Sequence, residues 1–132
     1  MTLLKAKEVC VVVRTQLEAL HHWPHIPKGH PSQFLQHPHR HIFYIELRFK
    51  VNHSNRDIEF FEMKHQIDNY LQKNFKSDIS SGVKDLGFMS CEMLCEDLLQ
   101  QFNHLNAFQA SVFEDNECGA IMKTELQSPE IV

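Results

Sequence analysis

Apolar and polar positions alternate most strictly from His41 to Val51. Phe43, Ile45, Leu47, Phe49 and Val51 take the odd places, and Glu46, Arg48 and Lys50 the even ones after Tyr44. A period of two is the mark of a strand with one face buried and one wet. Upstream, Glu8 to Glu18 is an unbroken stretch rich in β-branched residues and predicts a first strand, best buried in its first half. From Ala19 to Pro31, three prolines and a glycine predict a loop, with His21 near the end of the first strand. A polar connection, Ser32 to Pro38, leads to the second strand beginning near His39, so the two strands are expected to form a long hairpin.

Asn52 to Asp57 is rich in residues whose side chains satisfy nearby backbone groups, which predicts a turn. The period then changes. Phe60, Met63, Ile67, Tyr70 and Leu71, with Phe75 beyond, recur at steps of three and four, the pattern of an amphipathic helix of about four turns. Ser77 to Gly87 reads as a polar linker. A second helix is expected from Ser90, a suitable N-cap with Glu92 in the first turn, and its apolar face is Cys91, Leu94, Cys95, Leu98 and Phe102. Ala107 to Phe113 and Cys118 to Lys123 read as two further strands around the acidic turn Glu114 to Glu117, and Ser128 to Val132 as a fraying tail. The order ββααββ implies one α+β domain, a sheet with both helices on one face.

At 132 residues the chain is large enough for one core and short for two. A formal charge of −4 and the lack of a basic run argue against a nucleic-acid partner. No apolar run approaches the ~20 residues of a membrane span, and the segment from Met1 to Lys7 does not read as a signal peptide, so a cytoplasmic protein is expected. None of the four cysteines forms a CxxC. Cys91 and Cys95 share a helix face and read as small buried residues of a reducing compartment rather than as a disulfide or a second metal site.

The histidines change the picture. Seven of the ten lie at positions 21, 22, 25, 30, 37, 39 and 41. Residues two apart share a strand face, so His39 and His41 can turn the same way, and the hairpin returns His21 beside them. Three neutral imidazoles suit zinc and leave a fourth position for water or substrate. His37-Pro38-His39 is a competing pair, and a histidine-rich loop is also compatible with plain solvated surface. Glu114, at a strand end, could grip two parallel N–H groups of a guanine- or pterin-like ring edge. With Asp115 and Glu117 beside it, it also reads as an ordinary acid of a wet turn.

Several of these segments resemble, in order, the 6-pyruvoyl-tetrahydropterin synthase and 6-carboxy-tetrahydropterin synthase family. Leu17-Glu18-Ala19-Leu20-His21 is similar to its first-strand ending, and His25-Ile26-Pro27-Lys28-Gly29-His30 to the loop that follows in bacterial members. His39-Arg40-His41-Ile42-Phe43-Tyr44-Ile45-Glu46-Leu47 is similar to its HxH strand, with Arg40 as the middle residue keeping the spacing to Phe43 and Glu46. Ile58 to Lys64, Ser90 to Leu94 and Val112-Phe113-Glu114 resemble the openings of its two helices and the strand carrying its pterin-binding glutamate. The resemblance implies the tunnelling fold, with the sheet closing into a β-barrel in a trimer-based homo-oligomer or a hexamer. It implies zinc on His21, His39 and His41, ring anchoring by Glu114, and backbone near Ser90 lining the pocket of a neighbouring subunit.

Two departures stand out. Family enzymes carry a catalytic cysteine between the first histidine and the HxH, where the nearest counterpart here is Ser32, and their Asp-His pair after the first helix has no match. A serine hydroxyl without a strong base is a weak proton-transfer group. The expected function is therefore a zinc-dependent lyase acting on a dihydropterin triphosphate, with Ser32 or His37 moving protons and the catalytic residues otherwise unassigned. The alternative is a diverged protein that holds or sequesters a pterin-like or purine-like ligand.

Overall fold

A computed structural model describes residues 8–124. Eight elements come in order: β1 (Cys10–His21), β2 (His39–Lys50), α1 (Phe60–Asn74), β3 (Lys76–Ser77), β4 (Lys84–Asp85), α2 (Cys91–Phe102), β5 (Ala107–Glu114) and β6 (Cys118–Lys123). They build one mixed sheet in the order β3-β4-β1-β2-β5-β6 against two helices. The tail from Ser128 lies outside the described residues.

β1 and β2 form the expected antiparallel hairpin, paired without a break from Cys10 opposite Lys50 to His21 opposite His39. β5 lies on the other side of β2, with Glu114 opposite Phe43. On β2 the alternation holds as read: Phe43, Ile45, Leu47 and Phe49 are buried against Met63, Ile67 and Leu71 of α1 and Leu94, Cys95, Leu98 and Phe102 of α2. Both helices thus cover one sheet face. Phe43, Ile45, Leu47 and Phe49 together exclude apolar area worth roughly 1.5–3 kcal/mol per side chain, which holds the strand's register.

Caps set the helix starts. Glu59 accepts hydrogen bonds from the N–H groups of Phe61 and Glu62, and Ser90 accepts one from Met93. Thr15 of β1 donates to Asp68 of α1, fixing that helix on the hairpin.

Four expectations need correcting. β1 is not buried through its first half; burial alternates along it, with Val12 exposed and Val13 buried, because the strand has a wet face throughout. The strand also runs on through Ala19, Leu20 and His21, since β2 offers partners as far as His39. Phe60 does not face the core; it and Phe61 are exposed at the helix start, and Met63 is the first buried residue. Finally, the linker after α1 contains the small hairpin β3–β4, and β4 pairs parallel to β1 at Ala19 and Leu20. The order is ββαββαββ, and the sheet is not purely antiparallel.

That small hairpin anchors the approach to α2. Leu86 donates to the Leu20 carbonyl and His22 to the Gly87 carbonyl, so the segment leading into α2 lies along the end of β1. At the other side, Glu114 to Glu117 make a tight turn closed by a 2.9 Å hydrogen bond, with Asp115 and Asn116 both at positive φ (53° and 59°). Short polar residues tolerate that left-handed backbone best after glycine. β6 then returns so close that a Cβ on Gly119 would stand 2.0 Å from the Val112 carbonyl oxygen, which only glycine allows.

Candidate metal centre

His21, His39 and His41 meet at the end of the β1–β2 hairpin where the loop joins the two strands, on the same sheet face as the core. One ligand atom from each lies within 4.8 Å of the others. His21 faces His39 across the strands, and Ala19, the residue opposite His41, is small enough to leave the three rings in contact. Ring centroids are 4.5 Å apart for His21 and His39, 5.1 Å for His39 and His41, and 5.5 Å for His21 and His41. Phe43 forms the floor, 5.1 Å from the His21 ring. His21 is 8% exposed, which excludes a solvated surface role for it.

Each ring is held by its Nδ1. His21 Nδ1 is 2.9 Å from the Met89 carbonyl oxygen, His39 Nδ1 is 2.9 Å from the His37 carbonyl oxygen, and His41 Nδ1 is 2.7 Å from Asp115 Oδ2. All three partners are acceptors, so all three Nδ1 atoms must carry the proton. In a neutral ring so held, Nε2 is left with its lone pair. This is the arrangement of metal-bound histidines, whose second nitrogen donates to a carbonyl or carboxylate. His21 Nε2 is buried and has no hydrogen-bond partner. An orphaned buried acceptor costs about 1–3 kcal/mol, and a cation would satisfy it.

The charge states agree. Burial pushes His21 below its ordinary value, outweighing the Met89 hydrogen bond and Glu114, which act the other way. A neutral imidazole is the form that binds metal. Asp115 is held below the usual carboxylate range by its hydrogen bond to His41 and by the Ile42 N–H. The three histidines therefore form a group that could hold a metal ion.

Glu114 enters the same cluster. Its Oε1 is 3.1 Å from His21 Nε2 and its Oε2 is 3.4 Å from His41 Nε2. Behind it, the Cys91 thiol donates to Oε1 at 3.8 Å. Burial, reinforced by Glu114, pushes that thiol up to about 12, so it stays protonated and is no thiolate nucleophile.

Ser90 caps α2 with its hydroxyl, directly after the Met89 carbonyl that holds His21 in the same chain. His37 contributes its backbone carbonyl to the site, while its exposed ring contacts Gln36. Ser32 starts a short 3₁₀ turn, Gln33–Gln36, its N–H donating to His30. Three participants were not read from the sequence as parts of a site: the Met89 carbonyl, Cys91 and Asp115. Only Asp115 left a usable trace, as an acid one residue past a strand end.

No family model matches the chain, and no curated protein matches it. Among the described residues no helix is long and apolar enough to cross a membrane.

Proposed function

We propose that this chain is a zinc protein with the tunnelling fold that works on a dihydropterin triphosphate as a lyase of the 6-pyruvoyl/6-carboxy-tetrahydropterin synthase type. The observation that carries the reading is the convergence of the three imidazoles, each held at Nδ1 by an acceptor, at the loop end of the first hairpin. Three neutral imidazoles favour zinc over harder ions that prefer oxygen. Zinc, when bound, would polarise the ligand's side-chain hydroxyls or carbonyl. The chain's own part is to hold three neutral ligands in fixed orientation and to offer the Glu114 carboxylate to the N–H edge of the ring.

Assembly into a barrel is supported by the sheet's open edges. β1 is paired to β4 only at Ala19 and Leu20, so its edge before Ala19 is free among the described residues, as is the outer edge of β6. Unpaired edges favour closure by further strands, here from other copies. The face away from the helices carries Arg14, Gln16, Glu46, Arg48, Gln109 and Ser111, polar enough to line a wet interior. A groove of about 1100 Å³ runs along that face and β1's free edge and includes none of the site histidines. The pterin pocket is proposed to be completed at the metal site by backbone near Ser90 of another copy.

A second reading, a protein that holds a pterin-like or purine-like ligand without turning it over, is favoured by the proton-transfer groups. The Cys91 thiol is protonated, Ser32 sits at a helix start, and the His37 ring contacts Gln36. Zinc analysis of purified protein beside His39→Ala tests the metal, and incubation with dihydroneopterin triphosphate tests turnover. Near-stoichiometric zinc with product formed supports the lyase. Zinc with the ligand returned unchanged leaves the binding protein, and absence of zinc from the wild type removes the lyase mechanism and leaves at most a pocket that depends on Glu114.

A further inference from the structure

The half-buried Lys84 of β4 spends its ammonium on backbone carbonyls, donating to Gln72 at 2.7 Å and to Phe75 at 3.1 Å. Gln72 lies in the last turn of α1 and Phe75 is its C-cap, where carbonyls lack partners within the helix. A cation there also meets the negative end of the helix dipole. The lysine comes from outside the helix, so it ties β4 to the end of α1.

β4 in turn lies against the end of β1 that carries His21. Ala19 pairs with Lys84 and Leu20 with Asp85. Leu86 then donates to the Leu20 carbonyl at 2.8 Å, and His22 donates to the Gly87 carbonyl at 2.9 Å, so one segment brackets His21 on both sides. The Asp85 carboxylate accepts from the Gly87 N–H at 2.8 Å and holds that residue at a φ of 63°, the left-handed region that suits glycine. Met89 donates back to the Leu86 carbonyl at 3.2 Å, and its own carbonyl oxygen is 2.9 Å from His21 Nδ1. Contacts therefore run without a gap from the end of α1 to the ring of a candidate metal ligand.

We propose that Lys84 is a positioning residue of the metal centre: by clamping β4 to the end of α1 it fixes, through Asp85 and Gly87, the Met89 carbonyl that orients His21. The proposal rests on the reading of His21, His39 and His41 as metal ligands. Lys84 acts through the segment that follows it and not by contact with the metal. A lysine that served α1 alone would cap the helix and leave metal binding untouched.

Cobalt(II) binding to the full chain, read by chelator competition and by the visible bands of the bound ion, separates the two roles. Lys84→Met keeps the reach of the side chain and loses the ammonium. It should weaken cobalt binding by roughly tenfold, the lower end of what losing a ligand's outer partner costs, and shift the bands. Lys84→Arg, whose guanidinium can donate to the same carbonyls, should recover both. Tyr70→Phe removes the hydrogen bonds that Tyr70 makes with Asp97 and Asn74 elsewhere on α1. It should lower the melting temperature and leave cobalt binding as in the wild type. Wild-type affinity and bands in Lys84→Met, no recovery in Lys84→Arg, or an equal loss in Tyr70→Phe would each overturn the positioning role and leave the metal reading standing. Absence of cobalt uptake by the wild type would overturn both. Should Lys84→Met fail to fold, Asp85→Ala at an exposed position of the same segment decides: weaker binding with shifted bands supports the proposal, and unchanged binding overturns it.

Discussion

Two polar clusters sit on the same strands, on opposite faces of the sheet, and they are built to opposite ends. On the face away from the helices, Glu46 accepts from Arg14 at 2.9 Å and from Arg48 at 3.0 Å. Burial would raise the Glu46 carboxyl, yet those two guanidinium donors hold it below its usual range. That cluster is complete: one anion, two cations, all in contact. At the loop end of the hairpin, His21, His39, His41 and Glu114 come together without such complete pairing. The first cluster needs nothing further, whereas the second leaves the buried His21 Nε2 without a hydrogen-bond partner. Completeness, rather than the number of charged groups, separates a structural network from a site.

The largest effect that tests this contrast is loss of a ligand. His39→Ala should reduce zinc content from near-stoichiometric to trace, as measured by atomic absorption. It should also abolish the rise in melting temperature that added zinc gives the wild type, because a ligand that binds only the folded state stabilises it. A variant that keeps its zinc would break the contrast outright.

Next in size is the outer partner of His41. Asp115→Ala should weaken zinc binding by about 10- to 100-fold, read by chelator competition. An affinity equal to wild type would show that the Nδ1 partner does not orient the ring.

Acid should separate the clusters in the metal-free protein. His21 has a folded value below its ordinary 6.5, so its contribution to stability is fully present above 6.5 and is lost as pH falls through that value toward the lower folded one. Glu46 is likewise depressed from its ordinary 4.5, so its contribution persists until pH drops below about 4.5. Urea midpoints measured across this range should fall in two stages, and zinc affinity should decline with the first, since protonated imidazole cannot bind metal. A single loss below 4.5 would remove His21 from the account.

The smallest effect is on the complete cluster. Arg14 is 77% exposed at its side chain, so Arg14→Ala should cost at most about 1 kcal/mol and leave zinc affinity unchanged. A change in zinc binding would mean that the two faces are coupled through β1 and β2.

Local pattern was enough for much of this architecture. The period of two on β2, the steps of three and four on the helices, and Ser90 as a cap all describe neighbours along the chain, and burial follows them directly. The hairpin brought His21 to His39 and His41 because antiparallel pairing maps sequence distance from the turn onto spatial opposition. Elsewhere long-range contacts decided. β3 and β4 are two-residue strands with no local signature, yet the pairing of β4 with β1 lays Met89 along His21. The β5–β6 turn swings Asp115 onto His41, a residue 74 positions away. Cys91 read as a core residue because helical spacing reports which face is buried, not what lies against it. Sequence alone therefore determined which side chains could bind a metal, since ligand type and strand phase are local properties. The tertiary structure decided how the rings are held, the lowered pKa of His21 and the place of Glu114, since each of these depends on burial and contacts assembled by the fold.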